Sequence, residues 1–251
     1  MRVQNRRPHT LSLFLLSLLL LPPFSLTAAD QPKSPVDVRI AAAEKKVKAT
    51  PDPQSFNDLA FALCRKGRDT GDPAAYREAS AALKRSFELA PGNYEAQKLQ
   101  AGVYLGTGQF AKALELATEL NKKVPDDIAV WGLLVDANIA LGKDAEAERD
   151  AQWILDLRAG SALGFEKAAA LREKFGDTTG AIEFYDEANR RTAQSDADQR
   201  AWYLTRKASL EFASGSPRAA EQVLDQALHL FPDSQLALAT QAKIRAAESQ
   251  R

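Results

Sequence analysis

One cysteine, Cys64, and two histidines, His9 and His229, are the only thiol and imidazole groups in this 251-residue chain. They bound its chemistry before any fold is considered. His9 lies in an N-terminal segment that reads as removable, so a Cys/His zinc site cannot gather its usual four ligands, and a lone cysteine forms no internal disulfide. A Ser-His-Asp relay would have to use His229. Its segment, Gln222 to Pro232, reads as a helix end, where an imidazole more often partners the helix dipole than acts as a base. Cys64 closes the apolar run Leu59-Ala-Phe-Ala-Leu-Cys64, with nothing basic and titratable placed to activate it, and reads as a small packing residue. Carboxylates are plentiful, at 33 Asp plus Glu. Glu166 and Glu173 would lie two turns apart on one helix face, and Glu183 and Asp186 one turn apart; both pairs read as solvated helix surface rather than as acid and base. These residues point away from an enzyme, and no metal or other cofactor is expected.

The elements that position these residues are set by a period. Ala79, Ala113, Ala147 and Ala181 are 34 residues apart, and Gly108, Gly142 and Gly176 keep the same step. A fixed repeat of this length marks stacked supersecondary units. Within each unit the apolar spacing is helical: Leu99, Val103 and Tyr104 precede a turn at Thr107-Gly108-Gln109, and Phe110 to Leu120 resumes the pattern. Gly108 lets the chain reverse between antiparallel helices, Pro125 closes the second helix, and Asp126 or Asp127 caps the next. Ile128 to Leu141 with Asp144 to Leu157, and Ser161 to Phe175 with Thr178 to Arg190, form further pairs.

The flanks depart from the period. Pro73 to Leu89 is in register, but its partner, Gln54 to Lys66, is set back by residues 67–72, which read as an inserted loop. Gly176 to Gly215 is 39 residues, and the polar stretch Thr192 to Asp198 accommodates the excess. A last helix around Leu236 to Ile244 suits a terminal cap. Residues 30–51 read as a linker with a short helix from Val36 to Lys48, residues 52–232 as about five helix pairs, and residues 233–251 as the capping helix.

Composition fits an all-α array, with 45% hydrophobic and 26% charged residues and no convincing strand pattern. Basic and acidic residues balance at 33 each, so nothing marks the chain for nucleic acid. Residues 1–29 read as an export signal: Arg2, Arg6, Arg7 and His9 precede an apolar run from Leu11 to Leu21, and Thr27-Ala28-Ala29 offers a cleavage site before Asp30. Pro22-Pro23 stops that run short of a bilayer span. The expectation is a periplasmic or secreted mature chain with no membrane insertion, the alternative being an anchor through an uncleaved N-terminus.

Ala101, Tyr104, Gly108, Phe110, Ala113, Ala117 and Pro125 resemble the tetratricopeptide repeat (TPR) pattern of small, aromatic and turn residues. Trp131, Leu134, Gly142 and Ala147 carry the next repeat, although Asp144 and Thr178 replace an aromatic and Ala159 a proline. The resemblance covers roughly residues 52 to 250. It implies a right-handed superhelical α-solenoid whose first helices line a concave groove that accepts a protein or peptide partner. On that scheme Asn57, Phe61, Lys98, Leu105 and Asp136 face the groove, as do Ile139, Glu166, Trp202, Arg206 and Phe212. Leu105 and Ile139 adjoin the core stripe and fit inter-repeat packing as well. The family's clamp for chaperone tails pairs lysine with asparagine on successive first helices; Gly102 follows Lys98 here, so that specificity is not carried over. The implied function is a non-catalytic scaffold, the alternatives being a glycan- or lipid-binding array or an enzyme using a carboxylate pair.

Overall fold

The computed structural model describes residues 34–249, so the expected export signal lies outside the described residues. Within them are twelve helices and no strand. In chain order these are α1 (Pro35–Ala49), α2 (Pro53–Thr70), α3 (Pro73–Leu89), α4 (Tyr94–Gly106), α5 (Phe110–Lys123) and α6 (Ile128–Ala140). There follow α7 (Asp144–Leu157), α8 (Ala162–Lys174), α9 (Thr178–Arg191), α10 (Ala197–Ala213), α11 (Pro217–Leu230) and α12 (Gln235–Glu248). None of these helices is long and apolar enough to cross a membrane.

The turns inside successive pairs share one geometry. Gly108, Gly142, Gly176 and Gly215 all have φ between 71° and 86°, the left-handed region glycine enters without steric cost. After α4, Gln109 N donates to Tyr104 O at 2.8 Å and Gly108 N to Leu105 O at 3.2 Å, which satisfies carbonyls left over at the helix end. The same pair of bonds recurs after α6, α8 and α10. Between pairs, side chains cap the next helix: Asp127 accepts from Ala129 N at 2.9 Å and Ser161 from Gly164 N at 3.0 Å. The periodic alanines Ala79, Ala113, Ala147 and Ala181 are fully buried, where a methyl lets helix backbones approach closely.

One of the two departures from the period differs from the sequence reading. Residues 67–72 are not an inserted loop. Helix α2 runs on to Thr70 and stops at Gly71, φ 68°, because nothing before Gly71 breaks a helix. Gly67 inside α2 is explained by Tyr76 of α3: a Cβ at Gly67 would lie 2.6 Å from the Tyr76 ring. Gly106 at the end of α4 presses on the same ring, which is thus held between two glycines. Gly106→Ala is expected to lower stability by about 1–3 kcal/mol through overpacking, since an added Cβ would overlap the Tyr76 ring and force it to shift; chemical denaturation measures it, and Gly102→Ala, which meets nothing within 4 Å, is the control.

The second departure, after α9, leaves a short connection before α10. The two departures meet. Arg65 of α2 pairs with Asp196 at 2.8 Å and Asp198 at 2.5 Å, and Arg39 of α1 reaches the same two carboxylates at 3.2 and 2.8 Å. Arg68 donates to Gln199 Oε1 at 2.7 Å. Asp69, in the extra turn of α2, caps α12 from across the junction, accepting from Ser234 Oγ at 2.5 Å and Gln235 N at 3.0 Å. Val36 of α1 is buried among Ala201, Leu204, Leu224 and Ile244 of the last helices, so the short helix expected from Val36 to Lys48 is present and takes part in the closure. The first helices of the stack therefore pack against its last ones, and the array closes on itself through a seam of ion pairs over an apolar floor.

Candidate functional site

The inner face of the closed array forms an open concave cavity of about 1140 Å³, lined mainly by the first helices of the pairs, α2, α4, α6, α8 and α10. Of the residues expected to face a groove, Phe61, Lys98, Leu105 and Asp136 line this cavity, as do Ile139, Glu166, Trp202 and Arg206. Asn57 does not. It is 3% exposed and donates to Asn93 Oδ1 at 3.3 Å, a tie between neighbouring pairs, because its position on α2 turns toward α4. Phe212 packs partly buried against the apolar cluster of the last helices, near the end of α10 where the helix faces α11 and α12. Ile139 both lines the cavity and packs against the core around Val135 and Ile154.

The walls combine apolar surface with paired charges. Lys167, whose side chain is 8% exposed, donates to Asp136 Oδ2 and Glu166 Oε1, both at 2.8 Å. Glu166 Oε2 accepts from Tyr203 OH at 2.7 Å and Gln199 Nε2 at 3.1 Å, so both oxygens are occupied. Burial alone would push the Glu166 carboxyl up, but Lys167 with its companions outweighs it and holds the group below the ordinary glutamate range. Burial would likewise lower the Lys167 ammonium, and Asp136 and Glu166 reverse the shift upward. The same burial, with the Glu166 charge, pushes the Tyr203 hydroxyl up. Glu173 pairs with Arg206 and accepts from Tyr185 OH at 3.2 Å. Lys98 pairs with Glu95 at 2.8 Å and Asp127 at 2.9 Å.

Glu166 is therefore not a solvated surface group, and Glu173 and Asp186 are half-buried and paired. Glu166 and Glu173 are ion-paired in the cavity wall, and Asp186 is held by Lys207 at 2.7 Å; only Glu183 is exposed as expected. Their arrangement holds charges fixed rather than poised for proton transfer. Burial pushes the Cys64 thiol up to about 12, which removes its thiolate at neutral pH. His229 stands exposed in the last turn of α11. Among the described residues no three His, Cys, Asp or Glu side chains gather as a metal-binding group.

Sequence reasoning missed Arg65, Arg68, Lys167 and Asp196. The first two sit in and beside the extra turn of α2 that read as a loop, and Asp196 in the other out-of-period stretch. Lys167 neighbours Glu166 in sequence, and only the next helix over shows that it turns inward to Asp136.

Residues 74–137 match the family model described as tetratricopeptide repeat. Over that stretch the chain carries the tetratricopeptide repeat pattern. No curated protein matches the chain by sequence. The TPR array is similar in fold to TTC0263, a thermophilic TPR protein of Thermus thermophilus, with a TM-score of 0.65, 18% identity, and coverage of 77% of this chain and 99% of that one. It also resembles a TPR protein from Parabacteroides merdae, with a TM-score of 0.56, 16% identity, and coverage of 85% and 80%. The APC/C hetero-tetramer Cut9-Hcn1 gives 0.63 at 15% identity over 85% of this chain, which spans 40% of that chain. At these identities the likeness is one of fold.

The seam gives the TPR array an acid sensitivity. Burial raises the Asp196 carboxyl, but Arg65 and Arg39 more than offset it and hold the group below the ordinary aspartate range. A lowered folded value contributes stability that is complete above the unfolded value of about 3.9 and is lost as pH falls through the folded one. Amide exchange in α1 and α12 is accordingly expected to accelerate below about pH 4 before exchange in α5 to α7 does; uniform acceleration along the array would contradict the assignment.

Proposed function

We propose that this chain is an exported, non-catalytic adaptor that holds a segment of a protein partner against the inner face of its repeats. The observation that carries the reading is the alignment of side chains from five successive first helices along one cavity, in a repeat fold generally used for scaffolding. Phe61, 43% exposed, is an unspent apolar anchor beside fixed charges that would set the register of a bound segment. The charges themselves are poor positions for a binding test, because Lys98 and Arg206 hold Asp127 and Glu173, and reversing them would disturb the repeat contacts.

The test places a photo-crosslinking amino acid at Phe61, and in a second protein at Trp153, an outer position on α7 that is 47% exposed. Expressed in cells with its full N-terminus, the Phe61 variant is expected to capture one defined protein, and Phe61→Asp to lose it with an unchanged melting temperature. Capture from Trp153 alone would place the working surface on the outer face. Export itself is tested by the N-terminus of the recovered protein, expected at Asp30; retention of Leu11 to Leu21 would replace secretion with anchoring.

A further inference from the structure

All but one of the cations lining the cavity can be matched to a counter-charge. Arg65 has Asp196 and Asp198, Lys98 has Glu95 and Asp127, Lys167 has Asp136 and Glu166, Lys174 has Asp144, and Arg206 has Glu173. Arg68 is the exception. Among the described residues no carboxylate lies within 4.0 Å of its guanidinium, and its one hydrogen bond goes to the neutral amide oxygen of Gln199 at 2.7 Å. The nearby Glu166 cannot serve, since both of its oxygens are taken by Lys167, Tyr203 and Gln199.

The Arg68 fork is also held in place. Its central carbon stands 4.8 Å from the centre of the Trp202 ring, and the Gln199 amide fixes one end. The guanidinium is thus oriented before any ligand arrives, with the rest of its donors without protein partners. Burial, with the Arg65 charge beside it, pulls its pKa down despite Glu166, and an anion bound at this point would act in the opposite direction. The surrounding wall is aromatic and aliphatic: Phe61, Tyr76, Leu105, Phe110 and Trp202. A largely apolar chamber with one convergent, uncompensated cation is the pattern of a small-molecule site.

We propose that the cavity binds a small amphipathic monocarboxylate, its carboxylate taken by Arg68 and its apolar body by the aromatic wall. This goes beyond the protein-partner reading and does not depend on it, since the site is complete within one chain. A carboxylate suits the planar fork better than a spherical anion, and an apolar body is required because every other charge in the wall is already neutralised.

The test is calorimetric titration of the purified chain with dodecanoate below its micellar concentration, with 3-phenylpropionate as the aryl counterpart, and with dodecanol and acetate as controls lacking the charge and the body. One-to-one binding of at least one of the two acids is expected, dodecanoate marking an acyl-chain source and phenylpropionate an aromatic one. Dodecanol and acetate should bind at least tenfold more weakly than the acid that binds. Arg68→Gln should weaken the acid at least tenfold and leave dodecanol unchanged. If that variant fails to fold, the acid-against-alcohol ratio on the unaltered protein still decides. Equal affinity for acid and alcohol, equal affinity in a folded Arg68→Gln, or no binding of either acid would overturn the proposal; capture of a partner from Phe61 would be untouched by any of these results.

Discussion

Lys167→Met is expected to lower folding stability by about 3–5 kcal/mol, because it leaves two carboxylates facing each other in the cavity wall without the cation they share. The effect should depend on pH in a defined direction. In the unaltered protein the Glu166 carboxyl is held below its ordinary range, so it contributes stability above the unfolded value of about 4.3 that is lost as pH falls through the lower folded value. Without Lys167, burial becomes the dominant influence and raises the folded value above the unfolded one. The variant is then least stable at high pH and regains stability as Glu166 takes up a proton. The gap between the two proteins should narrow as the pH of a urea titration is brought from 8 toward about 5. Glu166→Gln combined with Lys167→Met should recover much of the loss, since the buried charge leaves with its partner. A gap that stays constant with pH would show that Lys167 acts through its aliphatic stem alone.

Asp198→Ala should cost about 3 kcal/mol and should do so at the seam. Asp198 has a side chain only 3% exposed, and it receives Arg65 Nε at 2.5 Å and Arg39 Nη2 at 2.8 Å. Its loss leaves Arg65, 8% exposed, leaning on Asp196 alone. In a stacked array such a loss appears first as separation of the adjoining ends rather than as uniform weakening. Hydrogen exchange should therefore quicken in α1, α2 and α12 while α5 to α7 keep their protection. The exposed pair Lys122–Glu119, with 66% and 56% of its side chains accessible, provides the contrast: Lys122→Ala should change stability by less than about 0.5 kcal/mol.

The repeat itself was legible in the sequence because each 34-residue unit answers to local physics. Glycine at a left-handed turn, alanine at a close helix crossing and aspartate at a helix start are decided within a few residues of themselves, and Asp144–Leu157 and Pro73–Leu89 came out with the bounds expected of them. The seam was not legible, for a physical reason. Its parts are the residues that break the period, at 67–72 and 192–198, and they are more than a hundred positions apart. Local patterning shows only that these stretches do not fit. That they compensate for each other, with one adding a helical turn that carries Arg68 and Asp69 and the other presenting Asp196 and Asp198, depends on the curvature summed over all the intervening pairs. The candidate site divides along the same line. Residues whose direction follows from helical register, such as Phe61, Lys98 and Asp136, were placed on the inner face correctly. Asn57 and Phe212 meet neighbouring protein instead, Asn57 through Asn93 and Phe212 through the apolar cluster of the last helices, contacts that their own helices' periodicity does not show.

Closure of the array is the claim on which the cavity, its buried charges and its free arginine all depend. It is tested most directly by crosslinking the two ends within one chain. In a Cys64→Ser background, Asp69→Cys and Ser234→Cys replace side chains whose oxygens lie 2.5 Å apart across the seam. A short thiol-to-thiol crosslinker, applied to dilute folded protein, should join them within a single molecule, seen as a faster-running monomer on a non-reducing gel and as a linked peptide pair by mass spectrometry. Two cysteines that each react freely with a monofunctional label, yet never with each other, would show an open array and contradict the account.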